Sequence, residues 1–312
     1  MKILKLGKGK MLTIGLDRLV MGLPYPKLSK HADGGELTSE ELNVFDAQKK
    51  AYHAKMKHVE KMIKSGKYHC STSSNKDLKR YCVYSEDDGA LLCVISIGFS
   101  FGTGVINIAF NPSKLTSDNF AELSGHLSVM FYDHYEELYA KAVVSHAEFS
   151  VDVPGEELSN LILVDNTYRP MTKCQGSTYF GKQARKHVSV MYDKGQQLKL
   201  DGKLVRIEAR LNDRTIGFPS IVEQDLANPL SNLLVLDVNR LQSVAQKTKM
   251  PYLAERISQV GLFEAVANKP LRNKVWTCLQ EHAVPWWQPD AFWAAHGKLL
   301  HKLKPGHAGV FG

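Results

Sequence analysis

The chain has 312 residues, 44% of them hydrophobic and 23% charged, the balance of a folded globular protein and not of a disordered one. Its longest apolar runs, such as residues 90–97, fall far short of the roughly 20 residues a bilayer-spanning helix needs, which excludes that class. Lysines interrupt the apolar residues of the first ten positions, so no secretory signal is expected and the chain is assigned to the cytoplasm, with no membrane partner.

The net charge of +8 is unevenly spread: residues 1–80 carry 17 basic and 8 acidic side chains, residues 81–168 carry 2 and 13, and residues 169–312 carry 21 and 11. Basic flanks around an acidic centre suit a nucleic-acid enzyme, with cations on phosphate and central carboxylates free to hold a metal. An acidic helix plus chance asymmetry explains the same numbers. Cys70, Cys82, Cys93, Cys174 and Cys278 are odd in number, widely spaced and contain no C-x-x-C pair, as expected of reduced thiols and not of a disulfide framework or zinc ribbon.

In chain order, residues 11–25 read as a strand running into the Pro24-Tyr-Pro26 turn. Thr38-Ser-Glu-Glu41 matches a capping box and opens a lysine-rich helix to about Ser65, stopped by Gly66. Residues 80–85 and 90–97 flank Glu86-Asp-Asp-Gly89, a hairpin turn signature, and residues 105–110 form a third strand after Gly102-Thr-Gly104. Phe120, Leu123, Leu127, Met130, Phe131 and Leu138 line one side of a helix predicted over 118–141. A strand over 142–153 follows, then a helix opening at Pro154, a short strand near Tyr179, and strands over 186–193 and 203–211. Beyond Pro219 the pattern is mainly helical. These elements predict an α+β fold: a mostly antiparallel sheet with packed helices, followed by an α-rich carboxy-terminal region. The expected division is a basic amino-terminal strand and helix (1–79) packing on a catalytic core (80–218), then a helical region (219–312).

Chemistry concentrates on three strands. Side chains alternate across a strand, so Val144-Ser-His-Ala-Glu-Phe-Ser-Val-Asp152 puts His146, Glu148, Ser150 and Asp152 on one face. Carboxylates in such a row suit Mg²⁺ or Mn²⁺, and an ordinary solvated strand face looks the same. Arg206, Glu208 and Arg210 alternate with Val205, Ile207 and Ala209; they offer a third metal carboxylate and two phosphate-gripping guanidiniums, or an ion-pair ladder. Tyr192, with Lys194 two residues on, has the parts of a phosphoryl-transfer nucleophile, provided a cation or metal favours its phenolate. Trp276, Trp286, Trp287 and Trp293 either stack on bases or close a helical core.

These segments, in this order, resemble the rolling-circle replication initiators of filamentous phages (the gene II protein family) and, more distantly, those of some plasmids. The closest stretch is Leu204-Val-Arg-Ile-Glu-Ala-Arg-Leu211; Val143-Val-Ser-His-Ala-Glu148 and Asp17-Arg-Leu-Val-Met-Gly-Leu-Pro24 resemble the family's acidic and opening strands. His146 and Glu148 depart from the arginine and aspartate expected there, and no His-hydrophobic-His motif is present. The resemblance implies a metal-dependent DNA nickase and strand transferase. Tyr192, assisted by Lys194, attacks an origin phosphodiester, leaving a 5′-phosphotyrosyl link and a 3′-OH primer. Tyr179 is the alternative nucleophile. Glu148, Glu208 and Asp152 are expected to hold Mg²⁺ or Mn²⁺, and Arg206, Arg210, Lys186 and Arg185 to bind DNA phosphate. The implied partners are origin DNA, both supercoiled duplex and displaced strand, and a host helicase and polymerase, since no G-x-x-x-x-G-K-[ST] phosphate loop is present. The alternative is a DNA-binding protein of a phage or plasmid without chemistry. A third reading is a different metal-dependent enzyme: His146-Ala-Glu148 matches the H-x-E of zinc deaminases, but no P-C-x-x-C follows to supply the cysteine ligands.

Overall fold

The computed structural model describes residues 2–6, 10–26, 38–65, 70–75, 78–100, 103–132, 134–182, 186–213 and 215–306. In chain order these form β1 (Lys2–Lys5), β2 (Met11–Gly22), α1 (Ser39–Lys64), β3 (Cys70–Asn75), β4 (Leu78–Tyr84), β5 (Leu91–Ser100) and β6 (Thr103–Phe110). Next come α2 (Ser117–Phe131), α3 (Tyr135–Lys141), β7 (Val143–Pro154), β8 (Leu161–Asp165), β9 (Met171–Cys174), β10 (Ser177–Phe180), β11 (His187–Asp193) and α4 (Lys194–Leu198). The chain continues with β12 (Leu204–Leu211), α5 (Phe218–Val222), β13 (Leu233–Asp237), α6 (Val238–Lys247), α7 (Leu253–Ala265), α8 (Lys269–His282) and α9 (Pro289–Leu300). Mostly antiparallel sheet with helices, and a carboxy-terminal part rich in helix, make this an α+β protein. No helix among the described residues is long and apolar enough to cross a membrane.

The chain divides into two compact units. The first comprises Met1–Asp17, Ala147–Asp213 and Gln224–Leu299. Its main strands lie in the order β7-β12-β11-β10-β9, every neighbour antiparallel. Beneath them sits an apolar core built from alternate strand residues, including Val151, Val153, Val205, Ile207 and Met191, together with Leu233, Val235, Leu241, Ile257, Val275 and Phe292. Trp286 and Trp287 belong to this core, and the Trp287 indole N–H donates to the Leu233 carbonyl at 2.7 Å, so these two rings close the interior.

The second unit comprises Arg18–His146, Arg214–Glu223 and Leu300–Gly312, with strand order β3-β4-β5-β6-β2, again antiparallel. The expected capping box is formed: Glu41 N–H donates to Thr38 Oγ1 at 3.2 Å, and Thr38 N–H to Glu41 Oε2 at 2.8 Å. Tyr52, Met56, Val59 and Ile63, spaced three or four apart on one side of α1, are its buried residues, which is why this lysine-rich stretch still packs on β5 and β6. Gly89 turns the β4–β5 hairpin with φ 69°. Gly66 and Gly102, read above as breakers, lie outside the described residues.

Four expectations need correction. The helix predicted over 118–141 is two helices, because Tyr132 takes a left-handed conformation, φ 55°, and α3 restarts at Tyr135; no glycine or proline marks the break. No α-helix opens at Pro154: a single 3₁₀ turn at Leu158–Asn160 precedes strand β8. The apolar run Leu161-Ile-Leu-Val pairs with β13, and a short buried strand cannot be told from a buried helix by periodicity. The tail therefore contains a strand within its helices. The connection between β11 and β12 holds the one-turn helix α4, capped by Asp193, whose Oδ1 accepts from Gln196 N–H at 2.8 Å.

Two packing features position the site. Phe149, fully buried on the apolar face of β7, meets the edge of Trp293 at a centroid distance of 5.1 Å. Fully buried His296 donates Nε2–H toward two carbonyls, Gly15 at 3.1 Å and Ser150 at 3.2 Å. Truncating Phe149 to alanine is expected to cost about 3–5 kcal/mol, read as a lower urea midpoint followed by tryptophan fluorescence. Burial pushes the His296 imidazole down to about 4. A depressed folded-state value contributes stability that is present above the ordinary value near 6.5 and is lost as pH falls through about 4. His296→Gln is therefore expected to show a flatter loss of stability across that acidic window, measured by urea melts at several pH values.

Candidate active site

The polar side chains of β7, β12 and β11 lie in registered rows on one face of the first unit. Asp152 stands opposite Arg206, Ser150 opposite Glu208 and Glu148 opposite Arg210. On the other flank Tyr192 stands opposite Arg206, and Val190 opposite Glu208. The period of two makes the rows: each polar residue alternates with a buried apolar one, so the register that buries Phe149, Val151, Ile207 and Ala209 also gathers the charges.

Arg206 is the centre of the cluster. Its Nε and Nη2 donate to the two carboxylate oxygens of Asp152, and its Nη1 donates to Asp17 Oδ2 on β2. Burial works against the Arg206 charge, but the bonds to Asp152 and the nearby Asp17 charge outweigh it and hold the guanidinium above its ordinary range. Ser150 Oγ donates within 3.1 Å of both Gly15 O and Asp17 Oδ2. Glu208, with only 3% of its side chain exposed, divides its oxygens: Oε1 accepts from the Tyr192 hydroxyl at 2.7 Å, and Oε2 accepts from Arg210 Nε at 2.9 Å and Nη2 at 2.5 Å. Glu148 lies 3.8 Å from Arg210 Nε. Burial first, then the Glu208 carboxylate, raises the Tyr192 phenol well above its ordinary value. At rest the phenol is neutral, its proton already aimed at a carboxylate.

The structure thus brings together Tyr192, Glu148, Asp152, Arg206, Glu208 and Arg210. Lys194, the first residue of α4, sits 5.7 Å from the centre of the Tyr192 ring and donates to Gln197 Oε1 at 2.8 Å. Tyr179 is opposite Val190, so it shares the Tyr192 face one diagonal step away. Both tyrosines line a cleft of about 470 Å³ with Arg210, Gln196 and Gln197. Lys186 pairs with Asp213 at 2.9 Å, away from the cluster's hydrogen bonds. Arg185 lies outside the described residues. His146, half-buried on β7, belongs to the second unit.

Asp17 is the site residue that strand-by-strand reading missed. Its signal was a carboxylate inside the otherwise apolar β2 sequence Met11-Leu-Thr-Ile-Gly-Leu-Asp17, a placement that calls for a buried partner. The three carboxylates expected to hold Mg²⁺ or Mn²⁺ do not converge on an open position. Both Asp152 oxygens accept from Arg206, the Glu208 oxygens accept from Tyr192 and Arg210, and the guanidiniums compete with any cation for them. As arranged these residues do not fit the ion. Among the described residues, three ligand-type atoms within 4.8 Å of one another occur instead at Cys278, Glu281 and His282 on α8.

No family model matches this chain, and no curated protein matches it. Among solved structures it is similar to the rolling circle replication initiator protein from Geobacillus stearothermophilus, with a TM-score of 0.35 and 12% sequence identity, over 72% of this chain and 86% of that one.

The contact between Tyr192 and Glu208 makes a spectroscopic prediction. A carboxylate beside a phenol disfavours the phenolate, so in Glu208→Gln the Tyr192 phenol is expected to titrate at lower pH than in the wild type. It stays above the ordinary value near 10, because burial is unchanged. Carbon-13 tyrosine NMR across alkaline pH reads both.

Proposed function

We propose that this chain is a DNA strand transferase that opens rolling-circle replication by nicking one strand of an origin. The observation that carries the reading is the hydroxyl of Tyr192 held 2.7 Å from Glu208 at a cleft that Arg210 also lines. A neutral phenol is a poor nucleophile, and a carboxylate already accepting its hydrogen bond is placed to take the proton as attack proceeds. In the proposed step Tyr192 Oη bonds to phosphorus and the bond from phosphorus to the 3′ oxygen breaks. Glu208 Oε1 receives the phenol proton, and the leaving 3′ oxygen takes a proton from water. The products are a 5′-phosphotyrosyl link and a free 3′-OH primer; attack by a 3′-OH reverses the step and rejoins the strand without ATP.

Arg210 lines the same cleft as Tyr192, and a guanidinium matches the charge of a phosphoryl group in transfer. Lys194 adds positive charge beside the Tyr192 ring. Arg206 serves the site differently: wrapped by Asp152 and Asp17, it holds the strand register that presents Tyr192 to Glu208. Tyr179 has no carboxylate partner of this kind among the described residues, so Tyr192 is the preferred nucleophile. The proposed partners are origin DNA, as supercoiled duplex and displaced strand, with a host helicase and polymerase, and the proposed compartment is the cytoplasm. The order of the strand motifs, which resembles the phage and plasmid initiators, and the basic flanks of the sequence support the same reading.

One observation favours a second reading. The charged rows satisfy one another, as an ion-pair ladder in a DNA-binding protein without chemistry would. A nicking assay separates the two, using supercoiled DNA that carries the origin of the replicon encoding this chain, with Mg²⁺, with Mn²⁺ and with chelator. Products are run on denaturing gels before and after protease. The expected result is a protease-sensitive adduct that Tyr192→Phe abolishes and Tyr179→Phe retains, with Glu208→Gln slowing its formation by about 10²–10⁴-fold. Origin binding without an adduct under any of these conditions would overturn the nickase reading in favour of the ladder.

A further inference from the structure

The cleft beside Tyr192 is lined by more than a phosphate site requires. Resting on the reading of Tyr192 as nucleophile, we infer that this cleft takes one unpaired nucleotide of the nicked strand, its base stacked on Tyr179 and its edge read by Gln196 and Gln197. Tyr179 is held by two antiparallel ladders, to β11 and to β9, and its half-buried ring faces the same side as Tyr192. The one-turn helix α4 follows Tyr192 directly, because Asp193 caps it, and it delivers both glutamines to the cleft wall. Gln175, at the β9–β10 turn with φ 48°, lines the cleft as well.

The chemistry of the lining points to a base. A site built for phosphate alone collects cations, yet among the described residues Arg210 is the one cation lining this cleft. Besides hydroxyls, the Cys174 thiol and the Asp193 carboxylate that caps α4, the polar lining is the three carboxamides of Gln175, Gln196 and Gln197, which donate and accept at once and so match the donor–acceptor edge of a base, adenine above all. Lys194 occupies Gln197 Oε1 and so leaves its amide N–H groups to donate, while the carboxamide of Gln196 has no protein partner among the described residues. Tyr179 supplies the flat face on which unpaired bases stack. The volume of about 470 Å³ falls in the range of about 300–1,000 Å³ typical of small-ligand sites. A base inside a duplex has its pairing edge and both faces occupied, so the occupant is a base of a single strand.

The test is direct binding, measured apart from strand cleavage. The whole chain carrying Tyr192→Phe is titrated into fluorescein-labelled single strands of about twelve nucleotides, namely oligo-dA, oligo-dT, oligo-dC and an abasic strand, with anisotropy as the readout. Oligo-dA is expected to bind tighter than the other three. Adding Tyr179→Ala is expected to weaken oligo-dA about tenfold or more, the equivalent of a stacking contribution of about 1–3 kcal/mol per base, and to leave the abasic strand unchanged. Tyr179→Phe keeps the ring and should bind as its parent does, which separates loss of stacking from misfolding. Gln196→Ala with Gln197→Ala should bring oligo-dA level with oligo-dT and oligo-dC. The inference is overturned if Tyr179→Ala binds oligo-dA as tightly as its parent, or if it weakens the abasic strand equally. The nicking assay reports separately: base preference without an adduct sinks the nuclease reading alone, and an adduct without base preference sinks this inference alone.

Discussion

The geometry of the first unit hangs on one buried guanidinium. Arg206 of β12 is gripped through two nitrogens by Asp152 of β7 and through a third by Asp17 of β2. A charge this far from water is tolerable only with its partners in place, because removing one leaves an uncompensated ion that costs several kcal/mol. Three strands are therefore held to a single register. A slip of one residue would part Arg206 from Asp152 and turn Phe149, Val151 and Ile207 away from the core.

Everything distinctive about the candidate site follows from that register. With Arg206 opposite Asp152, Glu208 falls opposite Ser150, and Tyr192 comes to rest beside it across the next ladder. Glu208 is then shared between a phenol and a guanidinium, and the phenol beside it keeps its proton. Tyr179, one diagonal step away on the same face, has no such carboxylate partner among the described residues and lines the same cleft. The outer helices contribute from behind: His296 of α9 reaches the carbonyls of Gly15 and Ser150, and Trp293 braces Phe149, so the helical tail supports the strands that carry the charges.

Much of this was legible in the amino-acid sequence. The alternation in Val144–Asp152 and Leu204–Leu211 identified both polar faces and the residues on them, because side-chain direction in a strand is a local consequence of the pleat. The capping box at Thr38 and the turn at Gly89 were equally readable, each being closed within a few residues. Less legible were the break at Tyr132 and the strand nature of Leu161–Asp165. The first depends on a conformation that no glycine announced, and the second on a partner strand about 70 residues later in the chain.

By itself, then, the sequence determined which residues share a strand face, where most elements begin, and that the charged faces concentrate on three strands; periodicity and capping are short-range physics. Only the tertiary structure decided who pairs with whom. It set Asp17 against Arg206 across 189 positions, gave Glu208 to Tyr192 and Arg210 and not to an open metal position, and placed Trp286 and Trp287 in the core. Those outcomes rest on competition among buried charges and polar groups for the same few partners, and that competition begins only once the strands have paired and the water has left.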